Sequence, residues 1–463
     1  MTALTSTSDT ILFPWGDQGG TLAVTPPDFW PGAEVIRPDL SGVLEHYDAT
    51  LDLALDHPTG APRMEELVRP GAKVAVLVDD PSRWTPVREA LPAILRRLHA
   101  AGVRVEDVCI VAGVGRHHTV DHAAMRKRVG DDVTTRYTCF SPPVDDLSAY
   151  ADLGMTPQKV PVRVFRPVVE ADLRILIGSV LPHLQAGFGG GYKLIFPGAS
   201  HRSTLGALHR QGISHTEAAR LLGGDASENP MRKAIRDAAA MLGPCFSVSH
   251  LLGAPGQVLR VCAGHPDPVQ DTLAAEARRR FESPLGPPAD LIAAGNHPWP
   301  GDPLQSFKVL LQHRAACRVG GVLAGFFWTD SEEIDRSFPL SALRAIAATG
   351  SFGGWFLRRG LSTADRVAEA LGLSAAFMVH WARELVVDRT VLVYAPPLFE
   401  RIGPRLGPVR LFGDQAALWN AAAEALADVN TPYVRVFPQG GLTYAPATTR
   451  GEGGTGNGKR KDR

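Results

Sequence analysis

Three short stretches of this chain put reactive side chains at spacings that could do chemistry. The densest is LPHLQAGFGGGYKLIFPGASHRSTLGALH, residues 181–209, where His183, Lys193 and His209 flank Gly187, Gly189, Gly190 and Gly191. A histidine can move protons near neutral pH or ligate a borderline metal. A lysine can bond covalently to a cofactor. Glycines just after a strand let backbone N–H groups close on an anion. The loop fits neither the Gly-x-x-x-x-Gly-Lys-[Ser/Thr] nor the G-x-G-x-x-G pattern. A tight strand-to-helix turn with a surface lysine and two ordinary histidines is the plainer reading. The second stretch is DPSRWTP, in which Asp80 and Arg83 follow an apolar run. An arginine at the C-terminal end of a strand can grip a carboxylate or phosphate through two N–H bonds; an Asp-capped turn with a surface ion pair is the alternative. The third is DPLQSFK, where Gln305 and Lys308 stand three apart. On a helix they share one face, as anion-binding groups or as a solvated surface.

The elements around these stretches alternate. KVAVLVDD (73–80) and LRILIGSV (173–180) are short β-branched runs that read as buried strands. Residues 86–101 read as a helix with Leu91, Ile94, Leu95 and Leu98 on one face, Thr85 as its cap, Gly102 as its stop and Pro92 as a kink or a later start. VEDVCIVAGV (105–114) is the next strand, and a strand–helix–strand unit favours a parallel sheet. Helices are expected from about Ser203 to 211, over 216–224, over 229–242 and near 362–373; strands are expected at 390–397 and 433–441. The pattern predicts two α/β domains with mostly parallel sheets flanking a central active-site cleft. Residues 1–285 form the first domain, to which the strand at 433–441 returns, and residues 286–430 form the second. The tail from 447 to 463 lacks apolar residues and is expected to be disordered.

Composition narrows the partners. Among 463 residues, 48 Lys plus Arg balance 48 Asp plus Glu, which gives no general attraction to nucleic acid or an anionic membrane. Five scattered cysteines without C-x-x-C spacing argue against a disulfide scaffold or zinc ribbon. The first residues lack a basic start and an apolar core, and no apolar run approaches about 20 residues, so the cytoplasm is the expected compartment.

The run from His183 to Lys193, followed by Pro197, Gly198 and His209, resembles the signature of the nickel-pincer lactate racemase family. The intervals are 193 − 183 = 10 and 209 − 193 = 16. The resemblance implies a nickel pyridinium-3,5-bisthiocarboxylic acid mononucleotide on Lys193, nickel ligation by His209 and acid/base work by His183. It implies cofactor contacts from Asp80, Arg83 and the loop glycines Gly189, Gly190 and Gly191, where Gly189 replaces a frequent serine. It implies substrate contacts from Arg83, Gln305 and Lys308, and packing of Trp381 against the substrate. In DPSRWTP, Ser82 and Trp84 replace the family's usual Thr and Pro. One departure concerns catalysis. GVGRHHT, from Gly113 to Thr119, carries Gly115 where the family has its other catalytic histidine; His117 and His118 lie two and three positions further on as candidate substitutes. The implied reaction is racemisation or epimerisation of a 2-hydroxy acid, either simple or a larger sugar acid, with cofactor-synthesis enzymes as partners. A descendant that binds a nucleotide or small anion without catalysis, and a phosphate-sugar enzyme, are the competing expectations.

Overall fold

A computed structural model describes residues 2–4 and 10–446, apart from 17–18, 26, 28–29, 31, 82, 116–118, 214–221, 225, 300–302, 338–349 and 372–375. Two sheets organise it. One has six strands in the order Val258–Gly264, Cys245–Leu252, Leu173–Ser179, Val74–Asp79, Val108–Gly113 and Thr138–Phe140. All neighbours are parallel except the first pair. Its central strands, VAVLVD and LRILIGS, are buried at every residue, as strands covered on both faces must be.

The other sheet has eight strands in the order Thr2–Leu4, Glu34–Ile36, Val434–Phe437, Ala289–Gly295, Cys317–Phe326, Thr390–Tyr394, Val409–Phe412 and Arg405–Leu406. Only the two outer pairs are antiparallel. Separate apolar clusters hold Val76 and Ile175 on one face of the six-stranded sheet and Leu77 and Leu176 on the other. Ile292 and Leu291 likewise belong to two clusters flanking the eight-stranded sheet.

Two features of the expected domain plan change. The chain's first strands join the second sheet, not the first. The strand at Val434–Phe437 pairs with Leu291–Ala294 and with Glu34–Val35, so it does not return to the first sheet either. The reason is a buried cross-connection: Arg435 Nε donates to Glu34 Oε2 at 2.9 Å, and the Tyr433 hydroxyl donates to the same oxygen. What reaches the first half is the segment after that strand. Tyr444 packs on Phe188 (ring centroids 6.2 Å apart) and accepts the Ser283 N–H at its carbonyl.

The helix Val87–Ala100 buries Leu91, Ile94, Leu95 and Leu98 and runs through Pro92. Thr85 does not cap it; its hydroxyl donates to buried Asp79 Oδ2 instead. The helix Arg202–Gln211 is capped by His201, whose Nδ1 accepts the Ser203 N–H at 3.2 Å. Most of the helix expected over 216–224, and the tail from 447, lie outside the described residues. The five cysteines are free thiols. Among the described residues, no helix is long and apolar enough to cross a membrane.

Candidate active site

The strand Leu173–Ser179 delivers its C-terminal end into a small hairpin in which Pro182–His183 pairs with Gly187–Phe188. The turn that follows requires glycine at Gly190. Its φ is +79°, and a Cβ there would stand 2.8 Å from the Ser179 carbonyl oxygen. At Gly189, by contrast, an added Cβ would meet nothing closer than 3.6 Å, so the frequent serine of the family fits the same backbone.

A residue missed by sequence reasoning fixes this hairpin. Arg232, on the helix Pro230–Ala239, sends its guanidinium beneath the loop. Nε donates to the Ala186 carbonyl at 3.1 Å, Nη1 to Gly190 at 3.3 Å, and Nη2 to Gly189 at 2.9 Å and to Phe188. Asn229, which caps that helix, donates its amide to the Gln185 carbonyl at 2.9 Å. Burial, and then the Arg236 charge, pull the Arg232 guanidinium down to about 10.

Lys193 sits on the short helical turn Gly191–Leu194 that leaves the hairpin. Its amine is held well below the usual lysine range, chiefly by burial and then by the charges of Arg232, Arg83 and Lys308. His183 is likewise pushed well down, by burial first and then by Lys193, Lys308, His209 and Arg232. These groups therefore share one electrostatic neighbourhood, which joins the His183–Lys193 loop to Lys308 of the other half.

The two histidines are held in opposite tautomers. At His183, Nδ1 accepts the backbone N–H groups of Gln185 and Ala186 at 3.2 and 3.1 Å, so the neutral ring keeps its proton on Nε2. At His209, Nδ1 lies 2.8 Å from the Leu205 carbonyl. A carbonyl can only accept, so Nδ1 carries the proton and Nε2 keeps the lone pair that a metal needs. Among the described residues, no group of three or more His, Cys, Asp or Glu side chains could hold a metal by itself.

The DPSRWTP turn is pinned in the same way as the hairpin. Arg128 donates to the carbonyls of Asp79, Arg83 and Thr85 at 3.2, 2.9 and 3.0 Å and pairs with the Asp79 carboxylate. Burial raises the Asp79 carboxyl, against the pull of Arg128 and Thr85. Arg83 Nε stands 3.8 Å from buried Asp80, and its guanidinium lies 5.0 Å from the centre of the Trp299 ring. Trp84 packs on Trp299 too, with centroids 5.4 Å apart. The Trp that replaces proline in this motif therefore helps join the halves.

On the helix Pro303–His313, Lys308 Nζ donates to Gln305 Oε1 at 2.8 Å and lies 5.1 Å from the centre of the Trp381 ring. Gly115 adopts φ +56° and donates its N–H to the Gly198 carbonyl at 2.8 Å, and among the described residues no atom lies within 4 Å of where its Cβ would stand. His117 and His118 lie outside the described residues.

Residues 21–220 match the lactate racemase N-terminal domain. Over that part, the chain is similar to the lactate racemase family. That match includes Asp80, Arg83, Gly115, His183, Lys193 and His209 and ends before Gln305, Lys308 and Trp381. The lactate racemase of Thermoanaerobacterium thermosaccharolyticum is 25% identical over 272 residues, 58% of this chain and 63% of that protein. The lactate racemase of Lactiplantibacillus plantarum is 24% identical over 276 residues, 59% of this chain and 64% of that protein. The aligned part thus spans just under two thirds of either relative. In three dimensions the likeness extends further. The lactate racemase apoprotein from T. thermosaccharolyticum superposes with a TM-score of 0.74 at 19% identity, covering 94% of this chain and all of that one. A Thermotoga maritima protein superposes with a TM-score of 0.61 at 14% identity, over 87% of this chain and 97% of its own. Both share the two-sheet α/β fold.

Proposed function

We propose that this protein is a racemase or epimerase of a 2-hydroxy acid that carries the nickel-pincer nucleotide on Lys193. One observation carries the reading: beside a glycine turn, Lys193, His209 and, from the other half, Lys308 all bear on His183, and Lys308 bears on Lys193 as well. The residues fit the group. Burial and neighbouring cations favour the neutral, nucleophilic form of the Lys193 amine, and His209 Nε2 offers one nitrogen lone pair to nickel. Asp80, Arg83 and the glycine turn Gly189–Gly191 are assigned to hold the nucleotide around Lys193. When bound, the nucleotide supplies a reversible acceptor for the hydride on substrate C2.

The chain's own work is to hold the acid and manage one proton. Lys308, oriented by Gln305, pairs with the substrate carboxylate, Arg83 adds a second cation, and Trp381 covers the chain beyond C2. As the carbon flattens, His183 takes the hydroxyl proton on Nε2, which requires the ring to carry its own proton on Nδ1 and release its contacts with Gln185 and Ala186. When the hydride returns, His183 gives the proton back from Nε2 to the substrate oxygen. Inversion follows when the flat 2-oxo acid turns its other face while Lys308 keeps the carboxylate.

The test is co-production with cofactor-synthesis enzymes, followed by intact mass, metal analysis and chiral analysis of hydroxy acids. The expected result is a mass adduct on Lys193, one nickel and interconversion of enantiomers or epimers. Interconversion without an adduct would overturn the cofactor assignment. A second reading, a descendant that binds the nucleotide or a small anion without turnover, is favoured by Gly115 in place of the second histidine. It predicts the adduct with no chiral change.

A further inference from the structure

A second feature lies where the halves meet, beside the site just described. A cavity of about 50 Å³ is lined by Gln185 and Gly212 of the first half and by Arg314, Ala315, His380, Trp381 and Glu384 of the second. That is room for a few water molecules or a short polar chain. Among the described residues, three polar atoms of its lining have no hydrogen-bond partner: Gln185 Oε1, Arg314 Nε and His380 Nε2. Gln185 and His380 are 2% and 8% exposed. Buried polar atoms are rarely left unsatisfied in a folded protein, and groups of them around one space point to something that fills it.

The chemistry of the lining is specific. Arg314 already pairs with Glu384, so the cavity has little net charge to offer an anion. His380 Nδ1 lies 3.2 Å from Asp365 Oδ2 and donates to it, which leaves Nε2 of the neutral ring as an acceptor. Gln185 Oε1 is also an acceptor, whereas Arg314 Nε–H is a donor. Its amide nitrogen is engaged, because Gln185 Nε2 donates to the His209 carbonyl at 2.9 Å. Two acceptors, one donor and an aromatic wall match hydroxyl groups, which donate and accept at once, along a carbon chain that packs on a ring. Trp381 connects this cavity to Lys308, whose ammonium lies 5.1 Å from the same ring.

We propose that the cavity is a subsite for the hydroxylated chain of a polyhydroxy acid whose carboxylate is held at Lys308. This rests on the 2-hydroxy-acid reading above and names its substrate class. Hydroxyls beyond C3 donate to His380 Nε2 and Gln185 Oε1 and accept from Arg314, and Trp381 supports the carbons between. Asp365 is a positioning residue that fixes the His380 tautomer.

The experiment is calorimetric titration of the full-length protein, with and without its cofactor, using three acids. Ribonate has five carbons and hydroxyls along its chain, 2-hydroxyvalerate has the same length without the extra hydroxyls, and lactate stops at C3. Ribonate is expected to bind at least tenfold more tightly than 2-hydroxyvalerate. His380→Phe removes an acceptor, and Ala315→Leu fills the space without touching a polar group; each is expected to abolish that preference and leave lactate affinity unchanged. Thermal melting of both variants checks that they fold. Ribonate affinity no greater than that of 2-hydroxyvalerate, down to no binding, overturns the proposal, as does a preference that survives both variants. Failure of the racemase reading registers separately, as a missing adduct on Lys193, because the affinity ratio is also read without cofactor.

Discussion

The arginines nearest the candidate site are used differently in the two halves of the molecule. In the first, Arg128 and Arg232 each lie behind a site loop and donate to its backbone carbonyls: Asp79, Arg83 and Thr85 for one, Ala186, Phe188, Gly189 and Gly190 for the other. Those loops carry Asp80, Arg83 and Lys193. In the second half, Arg314 and His380 line a cavity with polar atoms left without partners among the described residues. The first arrangement holds one geometry rigidly, as the proposed prosthetic group would demand. The second leaves bonding capacity for a ligand that comes and goes. The match to relatives divides the same way: the family's N-terminal domain aligns over residues 21–220, and the likeness that extends over nearly the whole chain is one of fold.

The sharpest way to break this comparison is at Lys193. Lys193→Ala should abolish the mass adduct and lower chiral conversion by about 10⁴-fold or more, the scale on which a covalent catalytic centre is lost. Lys308→Ala should keep the adduct and lose substrate affinity. An adduct that persists in Lys193→Ala would mean that the first half does not hold the group where we assign it.

Next in size is Arg232→Met. It leaves several buried carbonyls of the hairpin without donors, at about 1–3 kcal/mol for each group not rescued by water. The expected loss of unfolding free energy is about 4 kcal/mol, read from urea denaturation. Arg314→Met faces a cavity that water can enter and should cost roughly 1 kcal/mol. Equal losses would erase the distinction between a pinned and a permissive half.

Much of the pinned half was legible in the sequence. VAVLVD and LRILIGS announce buried parallel strands through unbroken β-branched runs, and the residues of the glycine loop announce their chemistry by type and interval. The devices that hold them were not. Arg232 lies 42–46 residues from the carbonyls it binds, and its helix reads only as amphipathic. The tautomers of His183 and His209 depend on backbone groups whose direction no spacing rule gives. Thr85 obeys the local rule for a helix cap, yet buried Asp79 takes its hydroxyl, because an unpaired buried carboxyl costs more than an uncapped helix end. The strands Thr2–Leu4 and Glu34–Ile36 are too short for a period-two pattern, and the partner of Glu34 is 401 residues away.

Acid should strain both halves alike, which sharpens the comparison by separating site design from core stability. His250 in the first half donates Nδ1–H to the Gly178 carbonyl at 3.0 Å and accepts from the Tyr47 hydroxyl at Nε2. His313 in the second donates Nδ1–H to Val309 at 2.8 Å and accepts from Thr443. Burial pushes both down to about 4 from 6.5. Between those values the unfolded chain binds a proton that the native ring refuses. Stability is therefore full above about pH 6.5 and falls as pH drops toward 4, by roughly 3 kcal/mol for each ring. Urea midpoints from pH 8 to 4 should show this slope, and His250→Gln or His313→Gln should each remove about the same share.

The smallest expected effect is at Gly115, where the halves' division of labour meets the missing histidine. Gly115→His enters a left-handed backbone at φ +56°, a conformation that histidine tolerates better than most residues, and its Cβ meets no atom of the described residues within 4 Å. The stability cost should be about 1 kcal/mol. The Gly115 N–H bond to the Gly198 carbonyl keeps the new imidazole close to the turn that bears Lys193. If the space there serves a long substrate, the variant should favour lactate over ribonate by severalfold in affinity, with the Lys193 adduct unchanged. A variant that gains turnover on both acids equally would instead identify the glycine as a lost proton carrier, and the permissive character of the site would then reside in the second half alone.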